Sequence, residues 1–328
     1  MRQHRIRKAI VSVAAFSCAY MSGASAQQYE SYPNRAIRMV VPFPPGGGTD
    51  IVARTIGQKL GELLGESVVM DHRGGAGGNI GLDIAAKATP DGHTLAIAAA
   101  THAINATLYS KLGYDLVKDF AAISPVASMP YTLVSNTSVP VKSPADLVKL
   151  AKDKPGQLNY SSAGSGTGTH LAMEMFKSAT GLNIVHIPYK GSAPATTELL
   201  AGQVQVMFGN TASVLPQVKS GKLRALAVTS AKRQPLLPEV PTVAETVLPG
   251  FEIIQWYGVV APAATPKAIV SRLNASISQI AQTAEFRERL FTMGAEPMQA
   301  TPEHFAAFVR AEIAKWAKAV KISGARVD

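Results

Sequence analysis

The sequence predicts an α/β protein with two lobes around a cleft, and three observations carry this prediction. Short β-branched runs alternate with longer helical patterns, which is typical of a mostly parallel sheet with helical crossovers. Glycine-rich segments follow several of the predicted strands. Beyond residue 266 the pattern becomes purely helical. A chain of 328 residues, 47% of them hydrophobic and 16% charged, has the length of about two domains and enough apolar residues for their cores.

The strands and helices follow from these patterns in chain order. Strands are predicted at 37–43, 68–71, 94–98, 131–135, 158–162, 184–187, 204–208 and 223–229. Helices are predicted at 50–64, 79–87, 144–152, 169–180, 193–201 and 212–219. Two further extended stretches, 119–128 and 251–260, do not begin a strand–helix repeat. Three helices, at 266–283, 284–293 and 302–322, end the chain.

The C-terminal helices have no sheet of their own, so we expect them to pack on the N-terminal sheet. This arrangement gives one lobe from residues 27–125 and 253–328 and a second lobe from residues 126–252, joined by two crossing segments. Each lobe is expected to be a mixed, mostly parallel sheet flanked by helices. Two lobes joined in this way open and close over the cleft between them. Trp256 and Tyr257, on the returning segment, either line this cleft or pack beneath it.

The N-terminus has the order of a secretory signal. A basic segment, 1–8, is followed by a mostly apolar one, 9–21, and Ala24 and Ala26 place small residues at the positions that a signal peptidase reads. We expect cleavage after Ala26 and a mature protein outside the cytoplasm, because no later stretch reaches the roughly 18 apolar residues of a membrane helix. The alternative is an N-terminal helix packed on the core or a disordered tail.

Removal of this segment would change the chemistry that the chain offers. The only cysteine, Cys18, lies within it, so the mature chain would have no thiol for a disulfide, a nucleophile or a thiolate metal site. The formal charge of +10 would fall to +6, because the segment holds four basic residues and no acidic one. This surplus is spread thinly along the chain, which argues against nucleic-acid binding and suits small anionic ligands.

Glycine-rich turns after strands are the main chemical feature of the sequence. Two of them, 42–50 and 73–81, follow the first two predicted strands, and two more, 161–170 and 188–192, follow strands of the second lobe. Glycine permits left-handed backbone angles and close approach of a ligand, while the amides at a helix start favour an anion. Such turns meet at the carboxyl ends of the strands, where ligands of α/β sheets bind. We therefore expect one shared anion site, in which Asp50 is equally interpretable as a helix cap.

No motif for catalysis, a metal or a cofactor accompanies these turns. The only Gly-Lys pair begins at Gly221 and lacks the P-loop spacing, and Ile51 occupies the third glycine position of a dinucleotide fingerprint. The histidines form no zinc-binding pair, and Ser165 lies outside a nucleophile elbow because Ala163 occupies the leading position. We expect no catalytic residue, no metal and no cofactor, with small carboxylates as the bound anions. Two alternatives stay open: a secreted hydrolase or isomerase that uses the same cleft, and a nicotinamide-dependent enzyme.

Six motifs, in order along the chain, are similar to those of a known family. They lie at 41–50 (VPFPPGGGTD), 75–81 (GAGGNIG), 90–95 (PDGHTL), 161–167 (SSAGSGT), 186–191 (HIPYKG) and 221–229 (GKLRALAVT). Over essentially its whole mature length the chain resembles the extracytoplasmic solute receptors of the tripartite tricarboxylate transporter family. The resemblance implies a periplasmic binding protein of the Venus-flytrap type, with two lobes, a hinge and no cofactor. It also implies a small organic carboxylate as ligand, either a di- or tricarboxylate or an aromatic acid, and a membrane permease as partner. We expect the receptor to be a monomer.

In such receptors the ligand carboxylate is held by backbone amides and ordered water of the two lobe-one turns, and the far end of the ligand meets lobe two. Many members have an aspartate directly after the phenylalanine that ends strand 204–208. This chain has Gly209 and Asn210 there, which favours a plain carboxylate over an amino acid. The residues that the turns and the resemblance together predict to bind ligand are Phe43, Gly47, Gly48, Thr49, Asp50, Ala76, Gly77, Gly78, Asn79, Ser162, Ser165, Thr167, Thr169, Tyr189, Gly191 and Asn210.

Overall fold

The computed structural model describes residues 32–325 and 327, so the predicted signal segment and its cleavage site lie outside the described residues. The strands are β1 (Ile37–Val41), β2 (Val68–His72), β3 (Thr94–Ala99), β4 (Phe120–Asn136), β5 (Asn159–Ser162), β6 (Val185–Pro188), β7 (Val206–Asn210), β8 (Leu223–Val228), β9 (Ile254–Pro262) and β10 (Glu296–Pro297). The helices are α1 (Gly48–Leu64), α2 (Asn79–Ala86), α3 (Ala100–Leu108), α4 (Pro144–Asp153), α5 (Gly168–Thr180), α6 (Ser192–Leu200), α7 (Thr211–Lys219), α8 (Val243–Thr246), α9 (Lys267–Gln282), α10 (Ala284–Phe291) and α11 (Pro302–Ser323).

The strands form two mixed sheets that share β4. In the first sheet the order is β2-β1-β3-β9-β4-β10, and in the second it is β8-β4-β7-β5-β6. β4 pairs with β9 as far as Pro130 and with β7 from Tyr131 onward, so it passes from one sheet to the other at this point. The chain returns at β9, whose first residue, Ile254, pairs with Pro130. The fold is therefore α/β with two crossing strands.

The strands that lead into the glycine-rich turns run parallel to their neighbours. β1 lies between β2 and β3 in the first sheet, and β5 lies between β6 and β7 in the second, with all four pairings parallel. Parallel neighbours place their carboxyl ends at the same edge of a sheet. The turns after β1 and β2 therefore lie together at one edge, and the turns after β5 and β6 lie together at another.

The C-terminal helices pack on more than the first sheet. α9 packs against β4 and α1, as expected for a helix without a sheet of its own. α11 instead contacts α3 on the first-sheet side and α5 on the second-sheet side. Its residues Phe305, Val309 and Trp316 are buried in a core that also contains Trp256 of β9. The packing expected on the N-terminal sheet thus holds for α9, whereas α11 spans both sheets.

Three differences from the sequence prediction affect elements that reach the cleft. The predicted stretches 119–128 and 131–135 form the single strand β4, because pairing with β9 continues through Pro130 until β7 takes over. α3 was not predicted, since it follows β3 directly, without the glycine or proline that marks most other junctions. β7 begins and ends two residues later than predicted, which brings Asn210 to the end of the strand.

Candidate functional site

A small cavity, named the inner compartment, lies where residues from both sheets meet. Its volume is about 20 Å³, which is room for about one water molecule. The residues that line it are Phe43, Gly47, Gly48, Thr49, Thr101, Tyr131, Ala163, Thr167, Gly168, Thr169, Ser192, Asn210 and Gln255. Most of these residues lie at or next to the first turn of a helix.

Five helices begin at this cavity. α1 begins at Gly48, α5 at Gly168 and α6 at Ser192, and all three residues line it. α3 reaches the cavity through Thr101 in its first turn, and α7 through Asn210, the residue before the helix. The first amides of a helix have no acceptor within the helix, and they carry the positive end of the helix dipole. Five such ends around one cavity favour the binding of an anion.

The inner compartment favours an anion although no positively charged side chain is among its described lining residues. Its lining, as described, includes no lysine, arginine, aspartate or glutamate. Gly47, Gly191 and Asn210, which precede α1, α6 and α7, provide no side-chain cap within the described structure. A Ser, Thr or Asp cap would have occupied one of the first amides of its own helix. The amides of these helix starts are therefore available to a ligand.

Two buried tyrosines lie at the base of the inner compartment. The Tyr131 hydroxyl donates to Oε1 of Gln255 at 2.6 Å, and the Tyr257 hydroxyl donates to Oδ1 of Asn210 at 3.3 Å. Nδ2 of Asn210 in turn donates to Oγ of Ser192 at 3.3 Å. Burial raises the pKa of both tyrosines well above the usual value, so both phenols stay neutral. The base of the cavity is therefore a network of uncharged hydrogen-bonding groups.

Glycine is required where two of the helix starts meet these tyrosines. A Cβ atom on Gly48 would lie 2.6 Å from the Tyr257 hydroxyl, and one on Gly168 would overlap the hydroxyl of Tyr131. A larger residue at either position would force the helix start away from the base of the cavity. Of the two sequence alternatives for the returning segment, the structure shows packing beneath the cleft, since Tyr257 is fully buried and Trp256 packs on Phe305.

A second cavity, named the outer compartment, adjoins the first and has a volume of about 220 Å³. Phe43 and Ala163 line both compartments, so these two apolar side chains lie between them. The rest of its lining comes from the glycine-rich turns and the end of α3: Pro44, Gly75, Ala76, Gly77, Gly78, Tyr109, Gly164, Ser165, Pro188, Tyr189 and Lys190. The Tyr109 hydroxyl donates to the Ser165 carbonyl at 3.4 Å, which connects the two sides of the cleft.

The two compartments bring together most of the predicted ligand-binding residues. The inner compartment contains Phe43, Gly47, Gly48, Thr49, Thr167, Thr169 and Asn210. The outer compartment adds Ala76, Gly77, Gly78, Ser165 and Tyr189. The remaining predicted residues line neither compartment: Asp50, Asn79, Ser162 and Gly191. Ligand contact at these four positions has no support in the lining of the cavities.

Asp50 holds the first glycine-rich turn in place. Its side chain is 5% exposed and accepts hydrogen bonds from the Gly46 amide at 2.9 Å, from Nε of Arg54 at 2.8 Å and from Nε2 of His72 at 2.6 Å. Burial alone would raise the pKa of Asp50, but the hydrogen bonds from Gly46 and His72 and the charge of Arg54 outweigh it and hold the pKa below its usual value. Asp50 is therefore an ionised residue that fixes the turn before α1.

The other three residues outside the compartments also support the turns. Oδ1 of Asn79 accepts a hydrogen bond from the Tyr114 hydroxyl at 2.9 Å. Oγ of Ser162 forms a hydrogen bond of 2.6 Å with Nε2 of His186. Gly191, at a φ of +122°, is the residue before α6. A left-handed angle of this kind favours glycine, so Gly191 sets the direction in which α6 begins.

His186 is part of a buried ring stack behind the Ser162 turn. Its ring stacks on Tyr160 with centroids 4.7 Å apart and on His170 with centroids 4.2 Å apart. Burial, with smaller contributions from His170 and Lys177, lowers the pKa of His186 to about 3. His186 is therefore neutral across the pH range in which an ordinary histidine titrates.

Several lining residues were not predicted from the sequence. Thr101 and Tyr109 lie on or directly after α3, the helix that has no turn signal before it. Tyr131 and Gln255 lie on the crossing strands β4 and β9. The sequence places Tyr131 at the start of the predicted strand 131–135 and Gln255 in the extended stretch 251–260, and neither placement indicates a cavity. One signal was present: Gln255 is a polar residue next to the apolar run 256–261, and a buried polar residue needs a partner.

The described residues offer neither a metal site nor a membrane span. Within residues 32–325, no three His, Cys, Asp or Glu side chains are grouped as ligands for a metal ion. In the same part of the chain, no helix combines the length and the apolar character that crossing a membrane requires.

Two mixed α/β sheets joined by crossing strands, with helix starts around a central cleft, define the class of two-lobed solute-binding proteins. The family follows from comparison with known proteins: the sequence profile of the tripartite tricarboxylate transporter family receptor matches residues 52–324. The chain belongs to this family, which confirms the resemblance seen in the six motifs. Members of the family are solute-binding receptors, so the protein is a receptor rather than an enzyme, and the hydrolase, isomerase and nicotinamide alternatives are wrong.

Relatives match along nearly the whole chain. Protein BugT of Bordetella pertussis is 38% identical over 300 residues, which cover 91% of this chain and 92% of BugT. The structure of R. palustris Rpa4515 with adipate is 39% identical, with a TM-score of 0.88 over 90% of this chain and 100% of that one. MatC (Rpa3494) from Rhodopseudomonas palustris with bound malate is 32% identical, with a TM-score of 0.84 over 88% of this chain and 100% of that one. The predicted periplasmic binding protein fold is confirmed by these similarities.

Proposed function

We propose that this protein binds a small organic carboxylate in the cleft and delivers it to a membrane permease of the tripartite tricarboxylate transporter type. The observation that carries the proposal is the convergence of five helix starts on a cavity with no charged residue in its described lining. A carboxylate can accept hydrogen bonds from several of these amides at once. Each charge-assisted bond of this kind contributes about 1.5–3 kcal/mol, so two or three of them are enough to select the anion.

The chemistry at Asn210 supports a plain carboxylate rather than an amino acid. Asn210 is neutral, and both of its polar atoms already have partners in Tyr257 and Ser192. A ligand ammonium group would therefore find no carboxylate in the described lining of either compartment. The two related structures with adipate and malate carry ligands whose charged groups are carboxylates, and this favours the same class of ligand here.

Ligand entry is proposed to require separation of the two halves of the molecule. The inner compartment has room for about one water molecule, which is less than a carboxylate with its carbon chain occupies. β4 changes sheets between Pro130 and Tyr131, and β9 joins the first sheet at Ile254. Bending of these two strands would open the cleft, and this hinge lies close to the predicted lobe boundaries at 125 and 253. Closure over the ligand would exclude water and strengthen its hydrogen bonds to the amides.

The family supports the cellular setting of this activity. Its description names a receptor of a tripartite transporter, which implies a periplasmic protein and a permease partner. We place signal cleavage after Ala26, where the small residues of the N-terminus end. A monomer is proposed, since each chain contains both sides of its own cleft.

A thermal-unfolding screen followed by calorimetry tests the proposed function. The panel contains adipate, malate, glutamate and inorganic phosphate at equal ionic strength. A carboxylate without an amino group is expected to raise Tm, because a ligand at 100 times its Kd stabilises the folded state by about 2.7 kcal/mol. Glutamate and phosphate are expected to have little effect. The proposal fails if no carboxylate raises Tm, or if phosphate binds as tightly as the best carboxylate.

A further inference from the structure

The two crossing strands separate beside one buried residue, Thr229. β4 and β9 pair directly as far as Pro130 and Ile254, so the next pair of the same ladder would be Tyr131 with Ile253. Tyr131 and Ile253 instead each form hydrogen bonds with Thr229, the residue after β8. Thr229 is fully buried and takes the place of a strand at the point where β4 and β9 part.

Four hydrogen bonds join Thr229 to the two strands. Its hydroxyl oxygen accepts from the Tyr131 amide at 2.8 Å, and the hydroxyl donates to the Ile253 carbonyl at 2.5 Å. Its amide donates to the Tyr131 carbonyl at 2.9 Å, and its carbonyl accepts from the Ile253 amide at 3.0 Å. A regular antiparallel partner would accept from the Tyr131 amide with its own backbone carbonyl. Here the hydroxyl replaces that carbonyl, which pairs with Ile253, so one residue connects both strands.

These bonds tie both crossing strands to the second sheet. Thr229 continues β8, which pairs with β4 in that sheet. Tyr131 and Ile253 are therefore held to the second sheet. Pro130 and Ile254, their neighbours in the chain, are held to the first sheet by their own pairing. A bend between the two sheets is thus confined to one link in each crossing strand.

Thr229 also positions a group at the base of the inner compartment. Tyr131, whose amide and carbonyl both bond to Thr229, directs its hydroxyl to Gln255 of β9 at 2.6 Å. A Cβ atom on Gly168 would overlap that same hydroxyl, so the phenol lies against the start of α5. The motif 221–229 lines neither compartment, and these contacts give its last residue a role.

We propose that the Thr229 hydroxyl couples the two crossing strands, so that they bend together and bring the Tyr131 phenol to one fixed position when the cleft closes. The inference rests on the proposed function, because closure over a ligand is part of it. Thr229 is a positioning residue, since it lines neither compartment. Without its hydroxyl, the Tyr131 amide and the Ile253 carbonyl each lose a buried partner, and the two strands bend separately. The closed form is then less uniform and binds the ligand less tightly.

Thr229→Val and Thr229→Ser separate the hydroxyl from the shape of the side chain, because valine keeps the shape and serine keeps the hydroxyl. Electron paramagnetic resonance measures the distance between spin labels at Lys87→Cys, directly after α2, and Lys152→Cys, in α4. Both positions are exposed and line neither compartment, and Cys18→Ser removes the only cysteine of the full chain. Ligand-free Thr229→Val is expected to show a wider distance distribution than the wild type, and Thr229→Ser the wild-type width.

Calorimetric titration with adipate and with malate measures the consequence for binding. Thr229→Val is expected to bind either acid roughly threefold to tenfold more weakly than the wild type, the effect of one buried hydrogen-bonding group. Thr229→Ser is expected to bind as the wild type does. A serine variant that resembles the valine variant in width and affinity would overturn the inference, because the hydroxyl would then have no part in the coupling.

A matched variant separates the coupling from a general loss of stability. Thr242 is a fully buried threonine of the same segment, and its hydroxyl oxygen accepts from the Glu245 amide at 2.9 Å. Within the described residues, its side chain has no hydrogen bond to β4 or β9. Thr242→Val is expected to lower the midpoint of urea unfolding and to keep the wild-type distance distribution and affinities. Equal widths and equal affinities in Thr229→Val and Thr242→Val would overturn the inference.

Amide hydrogen exchange in the wild-type protein tests the same inference without any variant. The amides of Tyr131 and Ile253 are expected to be protected equally with and without adipate, because Thr229 holds both strands in the open and the closed form. Protection of Tyr131 that appears only with adipate would overturn the inference. Binding of neither acid would count against the proposed function, and the ligand-free distances and the exchange of Tyr131 would still decide the role of Thr229.

Discussion

Gly77 provides a direct test of closure, because it lies where the two sides of the cleft meet. It has a φ of +62°, and a Cβ atom there would lie 2.9 Å from the Ser165 carbonyl oxygen across the cleft. Gly77→Ala therefore has two costs. The left-handed backbone angle costs about 1–2 kcal/mol in every state of the folded protein. The contact with Ser165 opposes only the closed state, and overpacking of this kind costs about 1–3 kcal/mol.

These costs predict a separation between affinity and stability. The closed-state cost corresponds to a roughly fivefold to 150-fold weaker affinity. Gly65, the residue that ends α1, has a φ of +79° and no heavy atom within 4 Å of an added Cβ, so Gly65→Ala has the backbone cost without the contact. A Cβ atom at Gly77 would also lie 3.2 Å from Nδ2 of Asn105 and from the Tyr109 hydroxyl, so we expect Gly77→Ala to lose at least as much free energy of unfolding in urea as Gly65→Ala. Only Gly77→Ala is expected to lose carboxylate affinity by calorimetry.

Small-angle X-ray scattering gives a second measurement of the same prediction. The wild-type protein and Gly65→Ala are expected to become more compact when the carboxylate is added, whereas Gly77→Ala stays extended at the same ligand concentration. Equal affinities of Gly77→Ala and Gly65→Ala would refute the contact with Ser165 as a requirement for binding.

Three other substitutions test separate parts of the structure. Asp50→Asn is expected to flatten the pH dependence of the free energy of unfolding in urea between pH 3 and 7. Because the pKa of Asp50 is lowered in the folded protein, its carboxylate stabilises the fold above about pH 4, and this contribution is lost as the pH falls through the folded pKa. An unchanged pH profile would argue against this role of Asp50. Asn210→Asp is expected to weaken carboxylate binding at least about tenfold, because it adds a negative charge to the lining of the inner compartment. Unchanged affinity in calorimetry would contradict the claim that the carboxylate binds beside this uncharged lining. Glu312→Ala is expected to lower the free energy of unfolding in urea by about 2–4 kcal/mol, because the indole groups of Trp256 and Trp316 both donate to that buried carboxylate. Ligand affinity is expected to stay unchanged. A loss under 1 kcal/mol would count against the structural role of Glu312.

The glycine-rich turns could be predicted from the sequence because their signals are local. A run such as Gly46–Gly48 after a β-branched strand identifies a helix start without any knowledge of the rest of the chain. Parallel pairing then brings the turns after β1 and β2 to one edge and those after β5 and β6 to another. Twelve of the sixteen predicted residues line the two compartments for this reason.

The remaining features depend on contacts between distant parts of the chain. Asp50 is in a turn that lines the cleft, yet its carboxylate turns toward His72, 22 residues away in sequence, and no local pattern shows this direction. Tyr131 and Gln255 meet across 124 residues, at the point where the two crossing strands pair. The sequence shows Tyr131 as the first residue of a predicted strand and Gln255 as one residue in an extended stretch, and only the pairing of β4 with β9 brings them to the cavity.

A crystal structure of the complex with the carboxylate that raises Tm most would test the central claim directly. That claim is that uncharged helix starts, rather than basic side chains, hold the first carboxylate. The predicted result is a carboxylate in the inner compartment, facing the amides of Gly48, Gly168 and Ser192 directly or through one ordered water molecule. A ligand whose carboxylates contact only lysine or arginine side chains, with the inner compartment left to protein groups, would contradict it.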